Sequence, residues 1–389
     1  MKKSIKKYIS IFFCVAAFVF VSCTQGVGGE QNIVAQKENI DSEKISAGTA
    51  PVTFSVGESY VDSGTSITLA TQTAGATIYY TMDGSTPTAS SSKYTAPLKI
   101  IGSSNDVVIV KAFARYEGAP DSPVTTVTYT IGWAENTALY LGNPSSARAD
   151  VALAENYLLE RSQYSLSYNS TTLIPNWVAW HLCSSDMGNV QRKNSFKADP
   201  LLPALWYKVK SGDYQARTYG FDRGHMCPSG DRTDIVENNS ATYYMTNMVP
   251  QSPANNQTVW NDFENHIRDV VKGNPKREAY IVCGPYGKGG TSQKKENVMA
   301  IPTSSNNEIT VPSHTWKAVI YLTEGTDDIS RIDASTMVEA VFIPNDETCL
   351  NESWQKYRCS IDYIEEKTGY DLFSKIPDEI EAVIEAKDS

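Results

Sequence analysis

With 389 residues, 41% of them hydrophobic and 20% charged, the chain is too long for one small domain and too apolar for a disordered one. Its formal net charge of −10 excludes attraction to a polyanion through overall charge. Residues 1–133 carry ten basic and ten acidic side chains, so the whole acidic excess lies in residues 134–389, where nucleic-acid chemistry would need a local basic groove and a bound cation.

In chain order, Lys2, Lys3, Lys6 and Lys7 precede an apolar run from Ile9 to Val21, followed by Ser22 and Cys23. This is the pattern of an export signal over residues 1–22, and the run is too short for a comfortable membrane span. The small residue before Cys23 resembles a bacterial lipobox, which implies acylation of Cys23 and an exported, membrane-anchored lipoprotein, periplasmic or on the cell surface. Residues 23–50 have few large apolar side chains and read as a flexible tether.

Residues 51–132 change character. "SITLATQ", "ATIYYTM", "VVIVKAFARY" and "SPVTTVTYTI" are β-rich runs separated by turn clusters such as "MDGSTP", and they predict a small all-β antiparallel sandwich. With Tyr79, Tyr80, Asp83, Gly84, Ser85, Thr86, Pro87 and Tyr94 as landmarks, the segment resembles the chitobiase/β-hexosaminidase C-terminal type of domain. That resemblance implies a spacer or a glycan contact; the residues themselves favour a cross-strand packing role for Tyr79 and Tyr80.

Residues 133–389 mix elements. "EAYIVCGPYG" and "KAVIYLTEG" read as buried strands, "NDFENHIRDVVK" as a helix and "SIDYIEEKTGYDLFSKI" as a late helix, which together predict an α+β domain. Five cysteines, Cys183, Cys227, Cys283, Cys349 and Cys359, fall here without a CxxC pair, which argues against a zinc ribbon. In an oxidising compartment they suggest one or two disulfides with a thiol left over, and Cys227 reads as a disulfide partner.

Chemistry concentrates in "DRGH", residues 222–225. A neutral imidazole at His225 suits proton abstraction from water, and the planar guanidinium of Arg223 suits a phosphate. Some thirty residues on, Asn256 precedes an amphipathic run whose apolar stripe is Val259, Phe263, Ile267 and Val270. Asparagine caps helices, and its amide oxygen is a hard ligand fit for Mg2+. Glu264 lies about 12 Å further along a regular helix, too far to share an ion directly but able to hold water around it. Glu264 and Arg268, four residues apart, would be surface neighbours. His181, His266 and His314 show no metal-ligand spacing and read as structural, and "VPSHTWK" reads as a packing segment.

"DRGHMCPSGD", "TNMVPQ", "NNQTVWNDFE" with an arginine four residues later, "YIVCGPYG" and "VPSHTWKAVI" together resemble the DNA/RNA non-specific endonuclease family across most of residues 170–375. The resemblance implies a ββα-metal core and hydrolysis of DNA and RNA, with Mg2+ as cofactor and Mn2+ as a substitute. It implies His225 as general base, Asn256 as metal ligand and Glu264 as the residue orienting water at the ion. Arg223, Asn247 and Arg268 would support phosphate or transition state, Asp222 would position its neighbours, and Arg192 or Lys193 of "QRKNSFKADP" would contact substrate. The rival readings are an inactive nuclease fold and a carbohydrate-binding surface lipoprotein; the intact His225, Asn256 and Glu264 argue against the first.

Overall fold

Apolar runs between Tyr157 and Pro344 pair into one six-stranded sheet in the order Tyr157–Glu160, Ser165–Asn169, Ile174–Leu182, Arg277–Tyr286, His314–Thr323, Met337–Pro344. Every neighbouring pair is antiparallel. The computed structural model describes residues 48–387 apart from 58, 62, 103–105 and 134. The expected export signal, Cys23 and the tether up to residue 47 lie outside the described residues. Among the described residues no helix is long and apolar enough to cross a membrane.

The central strands are apolar almost continuously because both faces of the sheet are covered. Val178, Trp180, Ile281, Cys283 and Val319 face one core. Trp177, Tyr280, Val282, Ala318 and Ile320 face a second, closed by Leu139, Leu141, Ile364 and Phe373. Successive side chains of one strand thus serve different cores, as period-two geometry demands.

On the first face lies a small unit built from two strands and a helix. Asp222–His225 pairs antiparallel with Met248–Gln251, Gly224 opposite Val249. The chain then turns into a π-helical segment, Asn255–Val259, which runs directly into the α-helix Trp260–Lys272. That helix buries Trp260, Phe263, Ile267 and Val271 against the sheet. The expected stripe had Val270 in place of Val271; the observed set follows the 3.6-residue repeat measured from Trp260.

The N-terminal part folds as β structure around Ile67, Ile100, Val110, Ala112 and Tyr129, the last donating its hydroxyl to the Val56 carbonyl at 2.7 Å. Its largest sheet orders Ser59–Val61, Thr125–Ile131, Val107–Arg115, Thr77–Thr81 and Ser92–Lys93. The first pair is parallel, a departure from the wholly antiparallel expectation. Tyr79 stacks on Phe113 at 5.3 Å between ring centres and is buried, which is the packing role. Asp83 accepts from the backbone of Ser85 at 3.0 Å beside Gly84, whose φ of 78° a side chain would disfavour.

The expected disulfides are absent among the described residues: none of the five cysteines is bridged to another. Cys227, Cys283 and Cys349 are instead spread through the apolar core as small hydrophobic groups, and burial pushes their thiols up, Cys349 to about 11.

Candidate active site

The two-stranded unit and its helix wall a cavity of about 630 Å3. Arg192, Asp222, Arg223, His225, Asn256, Glu264 and Arg268 all line it, so seven of the residues singled out from the sequence meet at one place. The chain as a whole is acidic, but this lining brings three arginines together.

His225 ends its strand with its ring buried, 7% exposed, edge-on to Tyr243 at 5.0 Å and beside Phe196 at 5.5 Å. Its Nε2 has no hydrogen-bond partner. Burial, then the charges of Arg192 and Arg223, pull its pKa down to about 3, so the imidazole is neutral and its lone pair free at physiological pH. The Arg223 guanidinium carbon lies over the Phe196 ring, 4.2 Å from its centre.

Gly224 has a steric reason. A Cβ there would fall inside the Gln251 side chain, with Cδ only 2.5 Å away, while Gln251 itself donates to Asn255 Oδ1 at 2.8 Å. The glycine therefore lets the second strand's glutamine cross and brace the start of the helix. Gly230 does the same for Arg268, whose Nη1 would lie 2.9 Å from an added Cβ.

Asp222 orients the amides. One oxygen, Oδ2, accepts from Asn256 Nδ2 and from Gln257 Nε2, both at 2.8 Å. With its NH2 committed to a carboxylate, Asn256 presents its carbonyl oxygen for other use. Asn256 is no N-cap, contrary to the sequence expectation: it sits second in the π-helical turn, its own N–H bonded to the Ser252 carbonyl at 2.9 Å. The turn changes the helical phase. In a regular helix, eight residues would leave Glu264 about 80° around from Asn256; one extra residue in a wide turn cuts this to about 20°. Both then face the same cavity.

Glu264 and Arg268 do not pair with each other. Glu264 lies 3.5 Å from the ammonium of Lys317, which is fully buried and sits 4.1 Å from the Trp260 ring. Burial raises the pKa of Glu264, and the cations of Lys317 and Arg268 oppose that rise. Arg268 binds Asp231 at 2.8 Å, and Asp231 also accepts from Trp180 Nε1 at 3.0 Å.

Asn247 stands apart from its expected phosphate role. It is fully buried outside the cavity lining, giving Nδ2 to the carbonyls of Cys227 and Thr242 and accepting from Cys227 N at 2.9 Å. Every polar group of its side chain is engaged, so it pins the turn that follows His225. Lys193 does not line the cavity, whereas Arg192 does.

Sequence reasoning missed Asp231, Gln257, Asn261 and Lys317. The signal for Lys317 was a lone charge inside an otherwise apolar strand, "HTWKAVIYL", which needs a buried partner; for Gln257 and Asn261 it was proximity to Asn256 along one helix.

A hard divalent cation fits these donors. Asn256 Oδ1 accepts no hydrogen bond among the described residues, and Glu264 supplies a carboxylate in the same cavity. The profile of the DNA/RNA non-specific endonucleases matches residues 145–379. The chain belongs to this family. Residues 56–126 match the chitobiase/β-hexosaminidase C-terminal domain. A nuclease of Nostoc sp. is 42% identical over 249 residues, 64% of this chain and 85% of that protein. The nuclease of Serratia marcescens is 27% identical over 239 residues, covering 60% of this chain and 81% of that protein. The human mitochondrial nuclease EXOG is 26% identical over 217 residues, and the chain spans only 55% of its length. This endonuclease-family chain is thus a metal-dependent hydrolytic nuclease with an α+β catalytic part preceded by β structure that matches a second family.

Proposed function

We propose that the chain cleaves both DNA and RNA with little sequence preference, using Mg2+, for which Mn2+ can substitute. The observation that carries this reading is the convergence, in one arginine-lined cavity, of the neutral imidazole of His225 and an amide oxygen freed by Asp222.

Asn256 would hold the ion directly and Glu264 through water; when bound, the ion supplies positive charge to stabilise the departing oxygen. The neutral imidazole of His225 takes a proton from water as that water's oxygen forms a bond to phosphorus. The bond from phosphorus to the 3′ oxygen breaks, the 3′ oxygen gains a proton from solvent, and the products carry 5′ phosphates and 3′ hydroxyls. Arg192, Arg223 and Arg268 offer guanidinium donors to the phosphate. Bound polyanion offsets the arginine charges around His225, which raises its basicity at the moment it is needed. No residue assigned here reads a 2′ hydroxyl, in keeping with action on both nucleic acids. The N-terminal lysines, the apolar run and Cys23 support export and lipid anchoring of this activity.

The test is cleavage of plasmid DNA and of RNA by the full chain with Mg2+ or with EDTA. Cation-dependent cleavage of both is expected. In His225→Ala, kcat should fall by about three orders of magnitude or more with substrate binding nearly unchanged. A loss under about tenfold would place the base elsewhere.

A further inference from the structure

Away from the catalytic cavity, a second cavity of about 410 Å3 is lined by His181, Cys183 and Asp186 among others. His181 lies near the end of the strand Ile174–Leu182, and Cys183, just past it, keeps an extended backbone, so the two project from the same face. Asp186 returns to them through a short 3-10 turn, its Oδ2 accepting from Cys183 N at 2.9 Å. The imidazole, thiol and carboxylate donor atoms all lie within 4.8 Å of one another.

Two details suit a metal. His181 Nε2 is 3.1 Å from Glu278 Oε2, and Glu278 is itself fixed by Arg331 Nη2 at 2.8 Å and Gly325 N at 3.1 Å. With Nε2–H donating to this carboxylate, Nδ1 is the lone-pair nitrogen, the outer-sphere arrangement that orients metal-binding histidines. Cys183 Sγ lies 3.0 Å from Ser185 Oγ and 3.4 Å from Asp186 Oδ2, and a cation can replace its proton. The cavity is lined by Asp186, Glu278 and Glu324 against Arg232, whose guanidinium lies 3.5 Å from Asp186 and is tied to the carbonyls of Gln163 and His181. The donors differ in kind from those of the catalytic cavity: sulfur and nitrogen select a zinc-class ion, amide and carboxylate oxygens a magnesium-class one. We propose that His181, Cys183 and Asp186 form a second metal site, for Zn2+ or a similar transition ion, with a fourth position open to the cavity. An ion there clamps the loop whose Asp186 carbonyl accepts from Thr233 N at 2.9 Å, and Thr233 lies on the rim of the catalytic cavity.

The full chain, reduced and stripped of metal, would be titrated with Co2+ in excess Mg2+, which occupies the hard site only. A thiolate-to-cobalt absorption band saturating at one equivalent and displaced by Zn2+ is expected. It should vanish in Cys183→Ser, which keeps Mg2+-dependent cleavage, and persist in Asn256→Ala. Without any substitution, Zn2+ should slow alkylation of Cys183 about tenfold or more and leave Cys359, the other partly exposed thiol, unaffected. Absence of the band at one equivalent, its survival in Cys183→Ser, or equal alkylation with and without Zn2+ would overturn the site.

Discussion

Asp222 and His225 divide the work within four residues: one sets the direction of an amide, the other stays uncharged inside a positive field. Removing the first tests the amide. Asp222→Ala frees the Asn256 NH2, and the Mg2+ concentration for half-maximal cleavage should rise about tenfold or more, the worth of a hydrogen bond to a charged group. The check is a Mg2+ titration of activity alongside an unfolding midpoint in EDTA, which should move little. An unchanged titration would remove the orienting role. For His225 the pKa is about 3 in the folded chain against an ordinary value near 6.5, so the unfolded state binds more protons between those limits. In EDTA, stability should therefore fall as pH drops from about 6.5 towards 3, and be fully retained above that window. His225→Gln should flatten this part of the curve; thermal melts across the range measure it.

At the scale of the element, the π-helical turn Asn255–Val259 determines which helical side chains enter the cavity. Inserting one alanine after Thr258, with the wide turn kept, should swing Asn256 about 100° around from its alignment with Glu264. Cleavage should drop to background while circular dichroism keeps its helical signal; full activity in the insertion variant would mean the phase is immaterial. Sequence periodicity found this helix and its apolar stripe because amphipathic spacing survives in the residues after Trp260. It did not find the wide turn, since a one-residue change of phase leaves no mark in composition and depends on Gln251 bracing Asn255. Glu264 and Arg268 show the same limit: spacing made them neighbours, but Lys317 from the sheet and Asp231 from the loop claimed each of them first.

Across the whole molecule, an acidic chain has to approach a polyanion through one arginine-lined opening. Cleavage under low substrate should weaken with added NaCl, with a log–log slope no steeper than about −3, one unit for each cavity arginine. Arg192→Ala should make that slope shallower by about one unit and lower the rate evenly across sequences. A steeper slope in the parent protein would require basic groups beyond Arg192, Arg223 and Arg268. The N-terminal β module has its own core, and its Tyr79 is spent on Phe113, so it adds no aromatic platform at that position.

What the sequence determined alone was the inventory: the β-rich and mixed halves, the DRGH run, and the asparagine, glutamate and arginine of the helix. These are legible because residue type carries chemistry and local spacing carries helix or strand. Tertiary structure decided who faces whom. It turned Asn247 inward to pin a backbone turn, left the five cysteines outside disulfides, and made Arg192 rather than Lys193 the cavity residue. Partners such as Glu264 with Lys317, 53 residues distant in the chain, are set by sheet register and packing, which only the folded chain brings into contact.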